Sequence, residues 1–138
     1  MGCDIHLVLE RKYNDVWIGV DTFNSHTSAI DHNFSFPVAK VRNYDRFAAL
    51  ASVRGEGPLP KGIPDDISQT SKYLIDYWGK DGHSHSWLPL KEAVDIFIKT
   101  DHEKPKKDSF GEEYPSYHYF FVEKEDIDNH RLIFWFDN

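Results

Sequence analysis

The densest group of reactive side chains in this sequence lies at 80–88, which reads Lys-Asp-Gly-His-Ser-His-Ser-Trp-Leu. Gly82 permits a sharp turn there, because glycine alone adopts positive φ without steric cost. If the chain after it is extended, His83 and His85 share one face of a strand, since side chains two positions apart point the same way. Two imidazoles that titrate near neutrality would then be neighbours, as acid–base chemistry requires.

The same segment also has a purely structural interpretation. Asp81 and Gly82 followed by a serine are typical of an ordinary turn. Ser86 can cap the helix that is predicted to follow, because a serine hydroxyl accepts hydrogen bonds from the first free N–H groups of a helix. The residues alone leave both interpretations open.

Two further segments carry candidate functional groups. Residues 4–10 alternate apolar and polar positions and predict a strand, with Asp4 and His6 on its polar face. Arg54 ends a helix predicted over 42–54, where its spacing from Phe47 places it on the core-facing side. An arginine there either complements the helix dipole or binds an anion such as phosphate through paired hydrogen bonds.

These groups have to be positioned by a mixed set of strands and helices. A turn signal at 13–15 joins the first strand to a second one over 16–20 as an antiparallel hairpin, and a long loop is expected over 21–40. The remaining pattern predicts helices over 42–54, 71–78 and 90–100, capped by Asn43 in the first case, and strands over 117–122 and 131–136.

The end of the chain constrains the topology. Because the sequence stops directly after an apolar strand, we expect 131–136 to pair with 4–10, so that no apolar strand edge is exposed. The predicted fold class is α+β: one antiparallel sheet of about four or five strands, with helices from the middle of the chain packed on one face.

The composition limits the classes of protein to which this chain can belong. The chain has 138 residues, which fits one domain over 1–138, and it is 40% hydrophobic and 15% aromatic, which is enough for a packed core. A net charge of −7 disfavours binding to duplex nucleic acid. Cys3 as the single cysteine excludes an internal disulfide and fits a reducing cytoplasm. No apolar run approaches the roughly 20 residues needed to span a bilayer, so no membrane partner is expected.

Several strings along the chain form a family marker. They are Met-Gly-Cys-Asp-Ile-His at 1–6, parts of 43–48, 53–55 and 59–66, Asp-Gly-His-Ser-His-Ser-Trp-Leu at 81–88, and Phe-Trp-Phe-Asp-Asn at 134–138. On these strings the whole chain resembles a family of short phage-encoded proteins. The resemblance implies a phage accessory protein acting in the cytoplasm of a bacterial host, and it carries no catalytic assignment. Small phage accessory proteins often counter host defence, some by cleaving or sequestering nucleotide immune signals, so a small nucleotide is the expected ligand.

The first chemistry that fits these residues is metal-free cleavage of a nucleotide phosphodiester, with a cyclic nucleotide signal as substrate. One histidine takes a proton from the attacking hydroxyl, another supplies a proton, and an arginine holds the phosphate while charge builds. Aromatic rings can stack on a base. The predicted site comprises His83, His85 and His6 as catalytic residues, and Arg54, Tyr44, Trp87, Asp4 and Asp81 as ligand-binding residues.

Two alternatives stay open. The first is hydrolysis at a divalent metal, since Asp4, His6, Asp81, His83, His85 and Asp137 supply nitrogen and oxygen ligands, whereas the preferred interpretation needs no cofactor. The second is a protein without catalysis, which sequesters a nucleotide signal in an aromatic pocket or inhibits a host protein through its acidic surface. The sequence does not fix the oligomeric state, and a homo-oligomer is one alternative.

Overall fold

The structure is a computed structural model that describes residues 2–24, 42–100, 120 and 122–138. The predicted loop over 21–40 and the predicted strand over 117–122 fall largely outside these residues. Within the described ranges, no helix is both long enough and apolar enough to cross a bilayer. The elements are β1 (Asp4–Tyr13), β2 (Val16–Asn24), α1 (Tyr44–Ala51), α2 (Gln69–Trp78), β3 (Gly82–Pro89), α3 (Leu90–Lys99) and β4 (His130–Asp137).

The four strands form one antiparallel sheet in the order β2-β1-β4-β3. Asn14 and Asp15 adopt positive φ in the turn that closes the predicted β1–β2 hairpin, and β2 continues beyond its predicted end to pair Asn24 with His6. The predicted pairing of the first and last strands is confirmed, because all of β4 pairs with β1, from Asp4 opposite Asp137 to Arg11 opposite His130. The apolar end of the chain thus lies in the interior of the sheet.

Helices cover both faces of this sheet. Ile5 and Phe136 belong to a core cluster that also contains residues of α1 and α3, and we call this side the α1/α3 face. Val8 and Trp135 point the other way and pack against side chains of α2, on what we call the α2 face. The predicted α+β architecture is therefore confirmed, with α2 on the face opposite to α1 and α3.

Helix α1 is shorter than its predicted span of 42–54. Asn43 caps it as predicted, since its side chain accepts a hydrogen bond from the Arg46 N–H at 3.0 Å. The helix ends where Ser52 adopts a left-handed conformation with φ 59°. Arg54 therefore lies outside the helix with φ 61° and is exposed, so its predicted core-facing position is wrong.

Helix α2 begins two residues before its predicted start because Ser68 caps it, accepting a hydrogen bond from the Ser71 N–H. It ends at Gly79, whose φ of 50° is readily available to glycine. Tyr77 is 72% exposed, whereas Trp78 packs against the sheet. The helix therefore places Trp78 on the α2 face of the sheet.

Candidate functional site

Most of the predicted site residues meet at one end of the sheet, where β1 and β3 begin and β4 ends. Asp137 on β4 lies opposite Gly82 on β3. The His6 Nε2 contacts a carboxylate oxygen of Asp137, and the His83 Nε2 lies 2.9 Å from the Asn138 Oδ1. The last two residues of the chain therefore hold one histidine from each neighbouring strand.

A bulge in β3 places the two histidines of the His-Ser-His segment on opposite faces. The register with β4 shifts after His83, and Ser84 has a left-handed φ of 56°. The His83 ring lies 6.3 Å from Phe136 on the α1/α3 face, and the His85 ring lies 6.2 Å from Trp135 on the α2 face. The prediction that both imidazoles share a face is wrong, because the extra residue reverses the alternation after it.

Trp135 separates two imidazoles on the α2 face. Because β4 lies between β1 and β3, the indole has His6 on one side and His85 on the other. The centroids of the His6 and Trp135 rings are 5.6 Å apart, and each imidazole plane is tilted 18° from the indole plane. His6 is also covered by Trp78, with ring centroids 4.3 Å apart. Buried between two indoles and bound to Asp137, His6 is fixed in orientation.

Two buried nitrogens near the start of β3 have no hydrogen-bond partner within the described part of the chain. They are the His85 Nε2 and the Trp135 Nε1. A Cβ at Gly82 would lie 3.2 Å from the Trp135 Cδ1 and 3.4 Å from the His85 Nε2, so this glycine borders both rings. Buried polar atoms without partners are rare and cost about 1–3 kcal/mol each, which makes this place a candidate ligand contact.

The protonation of His85 gives a direct test of this geometry. Burial lowers the pKa of His85 from its ordinary value of 6.5, and the charge of His83 lowers it further. Because this pKa is lower in the folded than in the unfolded chain, the folded state loses stability as the pH falls below the unfolded value. We expect an NMR titration to show His85 titrating below a free histidine, and His83→Gln to move the His85 pKa upward. A His85 that titrates at or above 6.5 would contradict the structure.

Arg54 and Tyr44 lie together at the start of β1. The guanidinium carbon of Arg54 is 5.3 Å from the centre of the Tyr44 ring, and the Tyr44 hydroxyl accepts a hydrogen bond from the Cys3 N–H at 3.2 Å. Burial raises the pKa of Cys3, while the neighbouring Arg54 opposes that shift. The structure thus places Arg54 and Tyr44 near the start of β1, on exposed positions.

The other predicted ligand-binding residues differ in their surroundings. Asp4 is buried, and both of its oxygens accept hydrogen bonds from Arg42, at 2.8 and 3.0 Å. Asp81 is exposed in the short 3-10 turn before β3. Trp87 lies further along β3, where its ring is near the Arg131 guanidinium. Asp4 and Trp87 therefore have structural partners, and Trp87 lies two residues beyond His85 on the same α2 face.

No group of three or more His, Cys, Asp or Glu side chains is placed to hold a metal ion among the residues that the structure describes. The bulge separates His83 from His85, and Arg42 engages the Asp4 carboxylate. The alternative of a mixed metal site built from these side chains therefore has no support in the geometry.

No protein-family model, curated protein or solved structure matches the chain significantly. Any function therefore has to be inferred from the arrangement of the residues themselves.

Three residues important to this arrangement do not stand out in the sequence as site residues. They are Gly82 as a neighbour of two rings, Trp135 as the indole between two imidazoles, and Asn138 as a partner of His83. One signal was available for Trp135. The predicted antiparallel pairing brings the end of the last strand to the start of the first, and the structure pairs Trp135 with His6.

Proposed function

We propose that the protein is a phage-encoded anti-defence enzyme that binds a nucleotide at this end of the sheet and cleaves its phosphodiester bond, with a cyclic nucleotide immune signal as substrate. The observation that supports this proposal is that Arg54, His83 and His85 all lie at the end of the sheet that includes Gly82, with His83 on the α1/α3 face and His85 on the α2 face. Imidazoles and a guanidinium are the groups that metal-free phosphoryl transfer needs.

His85 fits the role of general base. Its lowered pKa keeps the imidazole neutral near pH 7, so it can accept a proton from the attacking hydroxyl of the ribose. As that oxygen forms a bond to phosphorus, the bond from phosphorus to the leaving oxygen breaks. The proton of the attacking hydroxyl ends on His85, and the leaving oxygen receives a proton from the second histidine.

His83 fits the role of that second histidine from the opposite face, because β3 is an edge strand and a ligand at its start can contact both faces of the sheet. The Asn138 Oδ1, 2.9 Å from the His83 Nε2, orients the ring, and the imidazolium form, in which both ring nitrogens carry hydrogen, would supply the proton. Arg54 at the same end of the sheet provides charge for the phosphate oxygens. A positioned proton donor or acceptor typically contributes about 10²–10⁴-fold in rate.

His6 takes a different role from the catalytic one predicted from the sequence. Its Nε2 is engaged by Asp137 and its ring is covered by Trp78, so we assign it as a positioning residue. By stacking on Trp135, it fixes the indole against which His85 packs.

The test is a ligand panel of cyclic dinucleotides, cyclic trinucleotides and cyclic ADP-ribose isomers. Purified protein is incubated with each compound with and without EDTA, and the products are separated by chromatography. We expect new product peaks for at least one compound, equally with and without EDTA. A panel in which no compound is cleaved would refute the enzymatic proposal, and cleavage that EDTA abolishes would refute the metal-free mechanism.

A second candidate function is sequestration of the same kind of ligand without cleavage. It is favoured by the burial of His6 and of the His85 Nε2, since buried hydrogen-bonding groups suit a tight binding site as well as a catalytic one. In that case the free ligand disappears on mixing and returns intact when the protein is heated.

A further inference from the structure

We infer that His85 and Trp135 together recognise a hydroxyl group of the ligand beside Gly82 on the α2 face. The inference rests on the proposed nucleotide ligand and narrows it to a ribonucleotide. It is drawn from the two buried nitrogens that have no partner within the described residues, the His85 Nε2 and the Trp135 Nε1.

The hydrogen-bonding capacity of the two rings points to a hydroxyl. An indole N–H can only donate, whereas the unprotonated nitrogen of a neutral imidazole accepts. Trp135 therefore calls for an acceptor, and His85, neutral and in the tautomer that leaves Nε2 without hydrogen, calls for a donor. A hydroxyl oxygen does both, because it accepts from the indole while its hydrogen points to the imidazole. In a nucleotide, the ribose provides such groups.

The local charge disfavours an anionic group at the same place. The Asp137 carboxylate belongs to the residue directly opposite Gly82, and Asp81 precedes this glycine in the chain. A phosphate oxygen here would meet these negative charges, and the lowered pKa of His85 denies it a cationic partner. The phosphate is better placed towards Arg54, at the start of β1.

Gly82 borders this contact without a side chain of its own. Its φ of −83° and ψ of 137° are ordinary extended values that any residue adopts, so the turn predicted from its flexibility does not explain the glycine. A methyl group at this position would project between the two rings, at 3.2 Å from the Trp135 Cδ1 and 3.4 Å from the His85 Nε2. Both nitrogens are buried, so a ligand hydroxyl reaches them from the partly exposed Gly82 only when the backbone there moves aside.

The experiment uses NMR, with adenosine, 2′-deoxyadenosine and inorganic phosphate as separate probes. The signals followed are the indole N–H of Trp135 and the imidazole nitrogens of His85. The variant is Gly82→Ala, which the backbone tolerates, and the matched control is Lys80→Ala at an exposed neighbouring position. Circular dichroism shows whether each variant is folded.

We expect adenosine to shift both signals in the wild type and in Lys80→Ala. Apparent affinity for 2′-deoxyadenosine should be about tenfold lower, because a lost hydroxyl leaves two buried nitrogens unpaired. In folded Gly82→Ala the response to adenosine should disappear. The inference is overturned if phosphate shifts these signals and adenosine does not, if the two nucleosides bind equally, or if Gly82→Ala responds like the wild type.

The NMR experiment and the nucleotide panel can fail independently of each other. A protein that recognises adenosine as described but cleaves no compound of the nucleotide panel loses the enzymatic proposal and keeps the hydroxyl site. A protein that cleaves a cyclic nucleotide without these NMR shifts keeps the proposed function and loses the hydroxyl site.

Discussion

Replacing either His83 or His85 with alanine is expected to reduce turnover of the substrate nucleotide by about 10²–10⁴-fold. Binding should persist in His83→Ala, whereas His85→Ala should also weaken binding because it loses the contact with the ligand hydroxyl. Each replacement removes one proton-transfer group and leaves Arg54 to hold the phosphate. Turnover measured under single-turnover conditions, together with the dissociation constant of the uncleaved ligand, separates the two effects.

Arg54→Ala should behave differently, because its charge acts on the phosphate in both the ground state and the transition state. We expect it to weaken binding and to slow cleavage together. Lys80→Ala, at an exposed position beside the site, serves as the control and should match the wild type. If His83→Ala and His85→Ala both retain full activity, the assignment of acid and base is wrong.

The sequence contains enough information to predict the sheet and its central pairing. Alternation over 4–10, the turn at Asn14 and Asp15, and the apolar last strand all follow from simple periodicity and turn chemistry. Caps at Asn43 and at Gly79 are equally local signals, and both are observed. Elements defined by short-range preferences were therefore predictable.

The relation between His83 and His85 was not predictable from the same rules. Ser84 adopts a left-handed φ, which is not predicted for a serine. The resulting bulge moves the side chain of every later residue in β3 to the opposite face of the sheet. Without such a bulge, strict alternation would have placed both imidazoles together. The local sequence therefore does not predict this backbone conformation, which occurs where β3 pairs with β4.

The second covered face of the sheet has a signal in the sequence. Residues 132–136 are Leu-Ile-Phe-Trp-Phe, an unbroken apolar run, and strands buried on both faces lack alternation. This run indicates helices on both sides of β4. What it does not indicate is that Glu10, on the predicted polar face of β1, is fully buried beneath α2.

Glu10→Ala is expected to lower the free energy of unfolding by about 3–5 kcal/mol. The carboxylate of Glu10 has no exposed surface, and its Oε1 accepts a hydrogen bond from the Arg131 Nε at 2.7 Å. Its Oε2 accepts from the Ser68 N–H at 2.8 Å and from the Ser71 hydroxyl at 2.6 Å. This one side chain therefore joins β1, β4 and the start of α2.

The large expected loss has a specific physical cause. Without Glu10, the guanidinium of Arg131 stays buried, with the carboxylate of Asp66 at 2.9 Å as its remaining ionic partner. A buried charge that loses its partner costs far more than the pair contributes in net stability. The start of α2 loses a carboxylate as well, which its N–H groups and helix dipole favour.

Urea denaturation measures this effect against two controls. Asp76→Ala removes the exposed pair between Lys72 and Asp76, also 2.8 Å apart, and should cost less than about 1 kcal/mol. The double variant Glu10→Leu with Arg131→Met removes both buried charges and should recover much of the lost stability. A Glu10→Ala protein within about 1 kcal/mol of the wild type would contradict this account.

The same variant connects the buried pair to the candidate site. Helix α2 carries Trp78, which packs on His6 and thereby on the Trp135–His85 stack. If Glu10 anchors this helix, Glu10→Ala should increase hydrogen exchange in α2 and move the His85 pKa upward, as burial decreases. If hydrogen exchange in α2 is unchanged while the free energy of unfolding falls as expected, Glu10 stabilises the pairing of the strands and does not anchor α2.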